Sequence, residues 1–220
     1  MTTVQTQPKT STRLELGYDK NLMLFSGRAN PELAAKIADK LGISPGPVTL
    51  KTFSNGEVYC RYGESIRGAD VFIVQPTCAN PATGMTPNDA LMELLIMIDA
   101  AVGASAHRVI AVVPWFGYSR QDKKSAPREP ITARLVARML ETAGISRVLT
   151  MDLHAGQLQG FFSAQTPVDH MTALPMLSQY VKDQLTGGPD ELVIVAPDAG
   201  RVKLTRRFAR GVGATYALME

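Results

Sequence analysis

The fold is decided by residues 71–113, which read VFIVQPTCANPATGMTPNDALMELLIMIDAAVGASAHRVIAVV. This segment begins and ends with short apolar runs typical of buried strands, Val71–Gln75 and Val109–Val113. Between them lies a loop rich in Pro, Gly and Asn, followed by a stretch that is apolar on nearly every side. We predict that this stretch is a helix capped by Asn88 and buried between layers. Two strands joined by a long helical connection pair in parallel.

The same alternation of strands and helices continues on both sides of this segment. Further strands are predicted at Leu22–Phe25, Val48–Lys51, Glu57–Arg61, Val148–Met151, Leu192–Ala196 and Thr215–Leu218. Further helices are predicted from an Asn30 cap to Gly42, from Pro130 to Gly144, near Ala173–Gln184 and from about Arg201. Alternation of this length predicts an α/β protein with a parallel sheet and helices on both faces. We interpret Pro167–Thr172 as the seam between two α/β units.

The composition is that of an ordinary globular protein. Of the 220 residues, 45% are hydrophobic and 20% are charged, which is close to the average for soluble proteins. A chain of this length buries enough apolar surface to fold without disulfides or metals. The two cysteines, Cys60 and Cys78, form no disulfide framework and suit a reducing cytoplasm. The formal net charge of +3 is too small to indicate nucleic-acid binding by itself.

The sequence gives no indication of membrane insertion or secretion. The most apolar stretch, Ala90–Val102, is interrupted by Glu93 and Asp99 and is too short to span a bilayer. Residues 1–17 lack the apolar core of a signal peptide, and we predict that they form a mobile tail. We therefore expect a cytoplasmic protein with no membrane partner.

Polar side chains follow the predicted strands at their carboxyl ends. In open parallel sheets, ligands bind just beyond these ends. The segments concerned are Ser26–Arg28, Gln75–Thr77, Pro114–Arg120, Asp152–His154 and Pro197–Gly200. Polar, charged and metal-binding residue types therefore gather at one edge of the predicted sheet. Their repetition over five loops predicts a ligand site at this edge.

Two of these loops carry residues that can bind a metal ion. His154 and Asp198 follow different predicted strands, so an imidazole and a carboxylate can meet at the sheet edge. A carboxylate with a few waters suits Mg²⁺, whereas histidine is an unusual ligand for so hard a cation. From the residues alone, His154 is interpreted either as a ligand or as a structural histidine.

The 17-residue loop Pro114–Pro130 is long for a compact chain, and loops of this length commonly carry function. It holds three aromatic residues and four cations, Trp115, Phe116, Tyr118, Arg120, Lys123, Lys124 and Arg128. Such a mixture suits a nucleotide, because rings stack on a base and cations neutralise phosphates. It also suits single-stranded nucleic acid, and a solvated loop with its aromatics in the core is an equal alternative. Common phosphate-binding and hydrolase motifs, such as G-x-x-x-x-G-K-[ST] and G-x-S-x-G, are absent from the sequence.

An ordered set of motifs resembles the ribose-phosphate pyrophosphokinase (phosphoribosyl pyrophosphate synthetase) family. The motifs are Phe53–Glu57, Tyr118–Lys124, Arg128–Pro130, Asp152–Ala155, Gln159–Phe162, Pro167–Asp169 and Pro197–Gly200. They occur in the family's order and at its spacing, and the resemblance covers residues 20 to 220. One of these motifs alone would be weak, whereas the ordered set is specific.

The resemblance implies both a fold and a reaction. The fold is a three-layer, parallel-sheet phosphoribosyltransferase-like domain at residues 18–168, followed by the first part of a second, homologous domain at residues 169–220. The reaction is transfer of the diphosphoryl group of ATP to the anomeric hydroxyl of ribose 5-phosphate, giving 5-phosphoribosyl 1-diphosphate and AMP. The family also implies self-association, as a hexamer.

The resemblance also implies particular site residues. The ATP-binding residues would be Phe53, Asn55, Gly56, Glu57, Arg120 and Gln121, with Phe53 stacked on adenine and Arg120 reaching the nucleotide from a neighbouring subunit. The residues that hold Mg²⁺, directly or through water, would be His154 and Asp198, with Asp152 and Asp169 as candidates for a second cation site.

The family's catalytic Lys and Arg are expected on a loop beyond Glu220, so we expect no catalytic residue within these 220 residues. We also expect the isolated chain to be inactive or nearly so. A non-catalytic regulatory or assembly subunit is the main alternative to an enzyme polypeptide. A phosphoribosyltransferase is disfavoured because its sugar-phosphate loop is absent from the sequence, and a nucleic-acid-binding module rests on the basic loop alone.

Overall fold

The structure is a computed structural model that describes residues 21–184 and 191–219. The described strands are β1 (Leu22–Ser26), β2 (Val48–Thr52), β3 (Val58–Tyr62), β4 (Asp70–Val74), β5 (Arg108–Val113), β6 (Arg147–Met151), β7 (Val168–Met171), β8 (Val193–Ala196) and β9 (Thr215–Leu218). The described α-helices are α1 (Pro31–Leu41), α2 (Pro87–Gly103), α3 (Thr132–Ala143), α4 (Leu174–Gln184) and α5 (Val202–Val212). The predicted tail, residues 1–17, lies outside the described residues.

The main sheet is parallel and has the strand order β1-β4-β5-β6-β7. Its register aligns Phe25, Ile73, Ala111 and Val148 in a row across four neighbouring strands. These side chains belong to the larger core cluster, which α2 and α3 cover with residues such as Leu94. On the opposite face, α1 packs against β1 and β4 in a smaller cluster. The predicted α/β class, with a parallel sheet and helices on both faces, is therefore confirmed.

The start of α2 differs from the prediction, because Thr86 rather than Asn88 caps the helix. The Asp89 N–H donates to Thr86 Oγ1 at 3.2 Å, and the Thr86 N–H donates to the Asp89 carboxylate at 2.9 Å. This reciprocal pair is a capping box, with Pro87 at the first helical position. The hydrogen bonds from the Thr86 hydroxyl and backbone lower the pKa of Asp89. Asn88 is left to contact the Tyr118 hydroxyl.

The start of α3 was also predicted wrongly, since the helix begins at Thr132 and not at Pro130. Ile131 occupies the cap position with a non-helical backbone and makes no side-chain cap hydrogen bond. The first turn is satisfied by a loop residue, because the Ala133 N–H donates to the Gln121 carbonyl at 3.2 Å. The Thr132 hydroxyl also donates to Gln121 Oε1 at 2.5 Å.

The strand β7 was missed by the sequence analysis, which placed a seam at Pro167–Thr172. This strand pairs with β6 along its whole length, from Val168 opposite Val148 to Met171 opposite Met151. The predicted domain division between residues 168 and 169 therefore falls inside a strand of the main sheet. The division into two phosphoribosyltransferase-like domains remains a prediction. Because β7 belongs to the main sheet, the boundary between the two domains would lie after Met171.

The strands β2 and β3 form a separate antiparallel hairpin that packs against α2. The Tyr62 hydroxyl donates to the Met97 carbonyl at 2.8 Å, and the Tyr62 ring meets Phe25 edge-on with a centroid distance of 4.6 Å. These contacts fix the end of the hairpin away from its turn. Burial, followed by the charge of Glu93, raises the pKa of Cys60 on β3 to about 11, so this residue is a protonated thiol at neutral pH.

The strands β8 and β9 pair in parallel as a small second sheet. Helices α4 and α5 pack against each other, and α5 packs against both strands. Several apolar side chains of this sheet face solvent, among them Val193, Val195, Tyr216 and Leu218. In the described part of the chain, no helix is both long and apolar enough to cross a membrane.

Candidate functional site

A cleft of about 580 Å³ opens at the carboxyl ends of β5 and β6. Its walls are the loops that follow β4, β5 and β6, the first turn of α2, and Arg201 before α5. The lining residues with chemically useful side chains are Asn88, Arg120, Gln121, Asp152, His154 and Arg201. The sequence analysis predicted a ligand site at this edge of the sheet, and the structure has a cleft lined by polar and charged side chains there.

The wall formed by the β4 and β5 loops is closely packed and depends on a glycine. A Cβ on Gly117 would lie 2.5 Å from the Thr77 carbonyl oxygen, a distance that no side chain tolerates. The Gly117 N–H donates to Thr77 Oγ1 at 2.7 Å, and the Thr77 N–H donates to the Trp115 carbonyl at 2.9 Å. The loop that carries the aromatic and cationic residues is therefore fixed at its start.

Arg120 projects from a loop that is anchored on both sides. Before it, Tyr118 has a φ of +62°, a backbone conformation that non-glycine residues seldom adopt and that is enriched at functional sites. After it, the nearly buried Asp122 accepts a hydrogen bond from the Gln157 side chain. Because the backbone on both sides is anchored, the exposed Arg120 side chain lies at the cleft. The sequence analysis missed Asp122, whose partner is recognisable only in three dimensions.

The β6 loop presents His154 to the cleft and is held by two neighbouring side chains. Asp152 has a φ of +44°, and its carboxylate accepts from the Thr172 hydroxyl at 2.7 Å and the Ala173 N–H at 2.9 Å. The Leu153 N–H donates to His170 Nε2 at 2.9 Å. His170, to which the sequence analysis gave no role, therefore supports the loop that carries His154.

Two of the predicted metal ligands, Asp152 and Asp169, bind other protein groups. Asp169 forms two hydrogen bonds with Arg147, at 2.9 and 2.8 Å, while both oxygens of Asp152 bind residues at the start of α4. Each of these two carboxylates has separate protein partners, and the second cation site remains a prediction. Asp198 accepts the Arg201 N–H at 3.1 Å through one oxygen, beside the cleft. Within residues 21–184 and 191–219, no cluster of three or more His, Cys, Asp or Glu side chains is arranged to hold a metal ion.

The predicted adenine-binding turn, Phe53–Glu57, lies at the tip of the β2–β3 hairpin. The Phe53 N–H donates to the Glu57 carbonyl at 2.8 Å, and Gly56 has a φ of +91° that favours glycine. The Phe53 ring is 51% exposed and meets Tyr59 edge-on, with a centroid distance of 6.1 Å. Among the described residues, those lining the cleft do not include this turn. The structure thus brings Arg120, Gln121 and His154 together and leaves the turn on a separate surface.

The fold and the cleft together define a class, the open parallel α/β proteins that bind a polar ligand at the carboxyl edge of the sheet. The family model for the N-terminal domain of ribose phosphate pyrophosphokinase matches residues 22–144, which is more than half of the chain. The chain belongs to the ribose-phosphate pyrophosphokinase family.

The individual relatives agree with this assignment. A ribose-phosphate pyrophosphokinase of Gloeobacter violaceus is 49% identical over 205 residues, covering 92% of this chain and 58% of that protein. One from Streptomyces avermitilis is 48% identical over 209 residues, covering 95% of this chain and 61% of that protein. The crystal structure of phosphoribosylpyrophosphate synthetase from Mycobacterium smegmatis superposes with a TM-score of 0.81 at 46% identity, covering 90% of this chain and 64% of that one. The chain thus spans about three fifths of the length of the relatives it matches.

Proposed function

We propose that this chain provides the ATP-binding part of a ribose-phosphate pyrophosphokinase. The reaction is transfer of the diphosphoryl group of ATP to the anomeric hydroxyl of ribose 5-phosphate, which releases AMP. The observation that carries the proposal is the single cleft at the sheet edge that joins Arg120, Gln121 and His154. The names of the relatives support the same reaction. We place the protein in the cytoplasm, where both substrates occur and where the free Cys60 and Cys78 stay reduced.

The cleft suits this chemistry because phosphoryl transfer depends on positioning and charge neutralisation more than on a protein nucleophile. The Arg120 guanidinium offers paired N–H donors that match phosphate oxygens. The Oε1 atom of Gln121 accepts a hydrogen bond from the Thr132 hydroxyl. The NH₂ group of Gln121 is then the part of the side chain that donates to the nucleotide. In this proposal the two side chains bind and orient the triphosphate.

We propose Mg²⁺ as the cofactor, held by His154 and Asp198 directly or through water. The donor set fits, because one Asp198 oxygen accepts the Arg201 N–H and the second oxygen is left for a cation or its waters. Mg²⁺ binds through one or two carboxylates together with substrate phosphates, so few protein ligands are required. When bound, the cation neutralises charge on the phosphates.

We propose that the adenine-binding turn works on a neighbouring copy of the chain. Phe53–Glu57 lies outside the cleft of its own chain, and the exposed Phe53 ring is free to stack on a base. A second copy that brings its turn to the cleft would combine the base-binding and phosphate-binding residues in one site. The hexamer implied by the family supplies such neighbours, and nucleic acid and membranes are not among the proposed partners.

The decisive experiment is calorimetric titration of the chain with ATP and Mg²⁺, run in parallel with single-stranded RNA. Saturable ATP binding without RNA binding is expected. Tight RNA binding without ATP binding would refute the proposal. AMP release in the presence of ribose 5-phosphate then separates an enzyme from the alternative, a regulatory or assembly subunit that binds nucleotide without turnover.

The His154→Ala substitution is expected to weaken ATP binding only when Mg²⁺ is present. Disturbing the groups around a bound metal typically costs about 10–100-fold in affinity, and we expect a loss on this scale. His107 is the matched control, since it is exposed and pairs with Asp70 at the opposite end of the strands. An identical Mg²⁺ dependence of ATP affinity in His154→Ala and in the unaltered chain would contradict the assignment.

The Phe53→Ala substitution is expected to weaken ATP binding by about 1–3 kcal/mol, the scale of one lost base-stacking contact. The melting temperature should stay nearly unchanged, because half of the ring is exposed and its aromatic contact with Tyr59 is a distant one. Leu41→Ala, which truncates a similarly exposed side chain on α1, serves as the control. A lower melting temperature with unchanged affinity would show that Phe53 is structural.

A further inference from the structure

Glu93 is a buried carboxylate outside the cleft. It lies on α2, and its side chain is 0% exposed. One oxygen accepts from the Arg28 N–H at 2.6 Å and from Gln75 Nε2 at 3.0 Å, and the other accepts from Arg28 Nε at 2.5 Å. A buried carboxylate is costly unless it is paired and hydrogen-bonded, and here its main partner is one arginine.

Arg28 connects this buried group to the surface. It follows β1 at the carboxyl edge of the sheet, and its side chain is 34% exposed. While Nε faces Glu93, Nη2 donates to the Thr52 hydroxyl at 2.9 Å. Thr52 is the last residue of β2 and immediately precedes the Phe53–Glu57 turn. A continuous set of contacts, the Glu93–Arg28–Thr52 bridge, therefore runs from the core to the turn.

The guanidinium determines the geometry of this bridge. Its donors lie in one rigid plane, so the direction of Nε towards Glu93 fixes the direction of Nη2 towards Thr52. The loop beneath is also fixed, because the Ala29 N–H donates to Gln75 Oε1 at 3.1 Å. A Cβ on Gly27 would lie 2.2 Å from that same oxygen, which leaves the loop no room to shift.

The bridge is well placed to orient the hairpin. Tyr62 anchors the end of the hairpin away from the turn through its contacts with Phe25 and Met97. In the hairpin register, Thr52 pairs with Val58 at the other end, next to the turn. Apolar residues of similar volume often stabilise a core as well as a buried ion pair does, so the Glu93–Arg28 pair is weak evidence of a purely stabilising role.

We propose that Arg28, held by Glu93, is a positioning residue that sets the orientation of the Phe53–Glu57 turn through Thr52. It acts on the turn and does not itself bind the ligand. The expected effect of Arg28 on nucleotide binding rests on the proposed function of the turn. The expected effect of Arg28 on the conformational order of the turn is independent of that proposed function.

The test substitutes Thr52, since this residue is exposed and the buried pair stays intact. Thr52→Val keeps the shape and removes the hydroxyl acceptor, whereas Thr52→Ser keeps the acceptor. Thr49→Val makes the same change at another exposed position of β2 and is the control. Arg28→Lys keeps the charge and loses the planar donors.

The hydrogen-exchange rates of the Phe53 and Gly56 amides measure how often the hydrogen bonds of the turn open. In Thr52→Val and Arg28→Lys, we expect exchange to be about tenfold faster, the scale of one lost hydrogen bond to a charged group. Thr52→Ser and Thr49→Val should match the unaltered chain, and the melting temperatures of the Thr52 variants should agree. Unchanged exchange in Thr52→Val would overturn the proposal.

Titration with ATP and Mg²⁺ tests the consequence for the ligand. Affinity should fall in Thr52→Val and be retained in Thr52→Ser. If the unaltered chain binds ATP and Thr52→Val binds it equally well despite faster exchange, the positioning role is refuted. If the unaltered chain binds no ATP, the proposed function fails, and the exchange comparison still decides whether the bridge orients the turn.

Discussion

The Glu93→Ala substitution is expected to lower the free energy of unfolding by about 3–5 kcal/mol, the usual cost of removing one partner of a buried ion pair. It leaves the Arg28 N–H and Nε without their acceptor and removes one of the two acceptors of the fully buried Gln75 amide, which keeps the Ala90 carbonyl at 3.2 Å. It also opens a cavity beneath α2. Urea denaturation of the purified chain measures the change.

Glu32→Ala is the control for this measurement. Glu32 is exposed on α1 and pairs only with Lys36, one helical turn further along, so its loss should change stability little. Equal midpoints and slopes for Glu93→Ala and the unaltered chain would contradict the assignment of Glu93 as a paired, buried charge.

The Arg120→Ala substitution is expected to weaken ATP binding by about 1.5–3 kcal/mol, the scale of a hydrogen bond to a charged group, because the guanidinium no longer binds the phosphates. The loop should keep its conformation, since its hydrogen bonds are made by neighbouring residues such as Tyr118 and Asp122. Titration with ATP and Mg²⁺ gives the affinity, and the melting temperature checks the fold.

Arg134→Ala is the matched control, because Arg134 is an exposed arginine on α3 that does not line the cleft. Arg120→Lys should recover part of the affinity, as lysine restores the charge without the paired donors. An affinity in Arg120→Ala equal to that of the control would show that the phosphates bind elsewhere.

The parts of the fold that were predictable are those whose sequence pattern has one structural solution. The runs Val71–Val74 and Val109–Val113 are apolar throughout because both faces of a central parallel strand are covered. β7 was missed because it is an edge strand that carries Asp169 and His170, and these break the apolar run. The cap of α2 was recoverable in principle, since Pro87 favours the first helical position and points to Thr86 as the cap.

The candidate site also contains residues that the sequence predicts and residues that it does not. Arg120 and His154 follow strand ends, so the sheet topology predicts that they lie at one edge, whereas Gln121 was predicted only from the family resemblance. Asp122, His170 and Glu93 act through partners far away in the sequence, and nothing local marks a carboxylate that will be buried against a particular arginine. The separation of the Phe53 turn from the cleft also depends on packing, since the hairpin belongs to a different sheet.

The pairing of the main sheet has a consequence for the order in which the chain folds. Leu22 pairs with Asp70, and Asp70 with Arg108, so each pairing must close a long stretch of chain before it contributes stability. The β2–β3 hairpin closes over a short turn, and hairpins of this kind form within about 1–10 μs. We therefore expect the turn to form early and, if Arg28 orients it as proposed, to gain its orientation later, when β1 and α2 come together and Arg28 reaches Glu93.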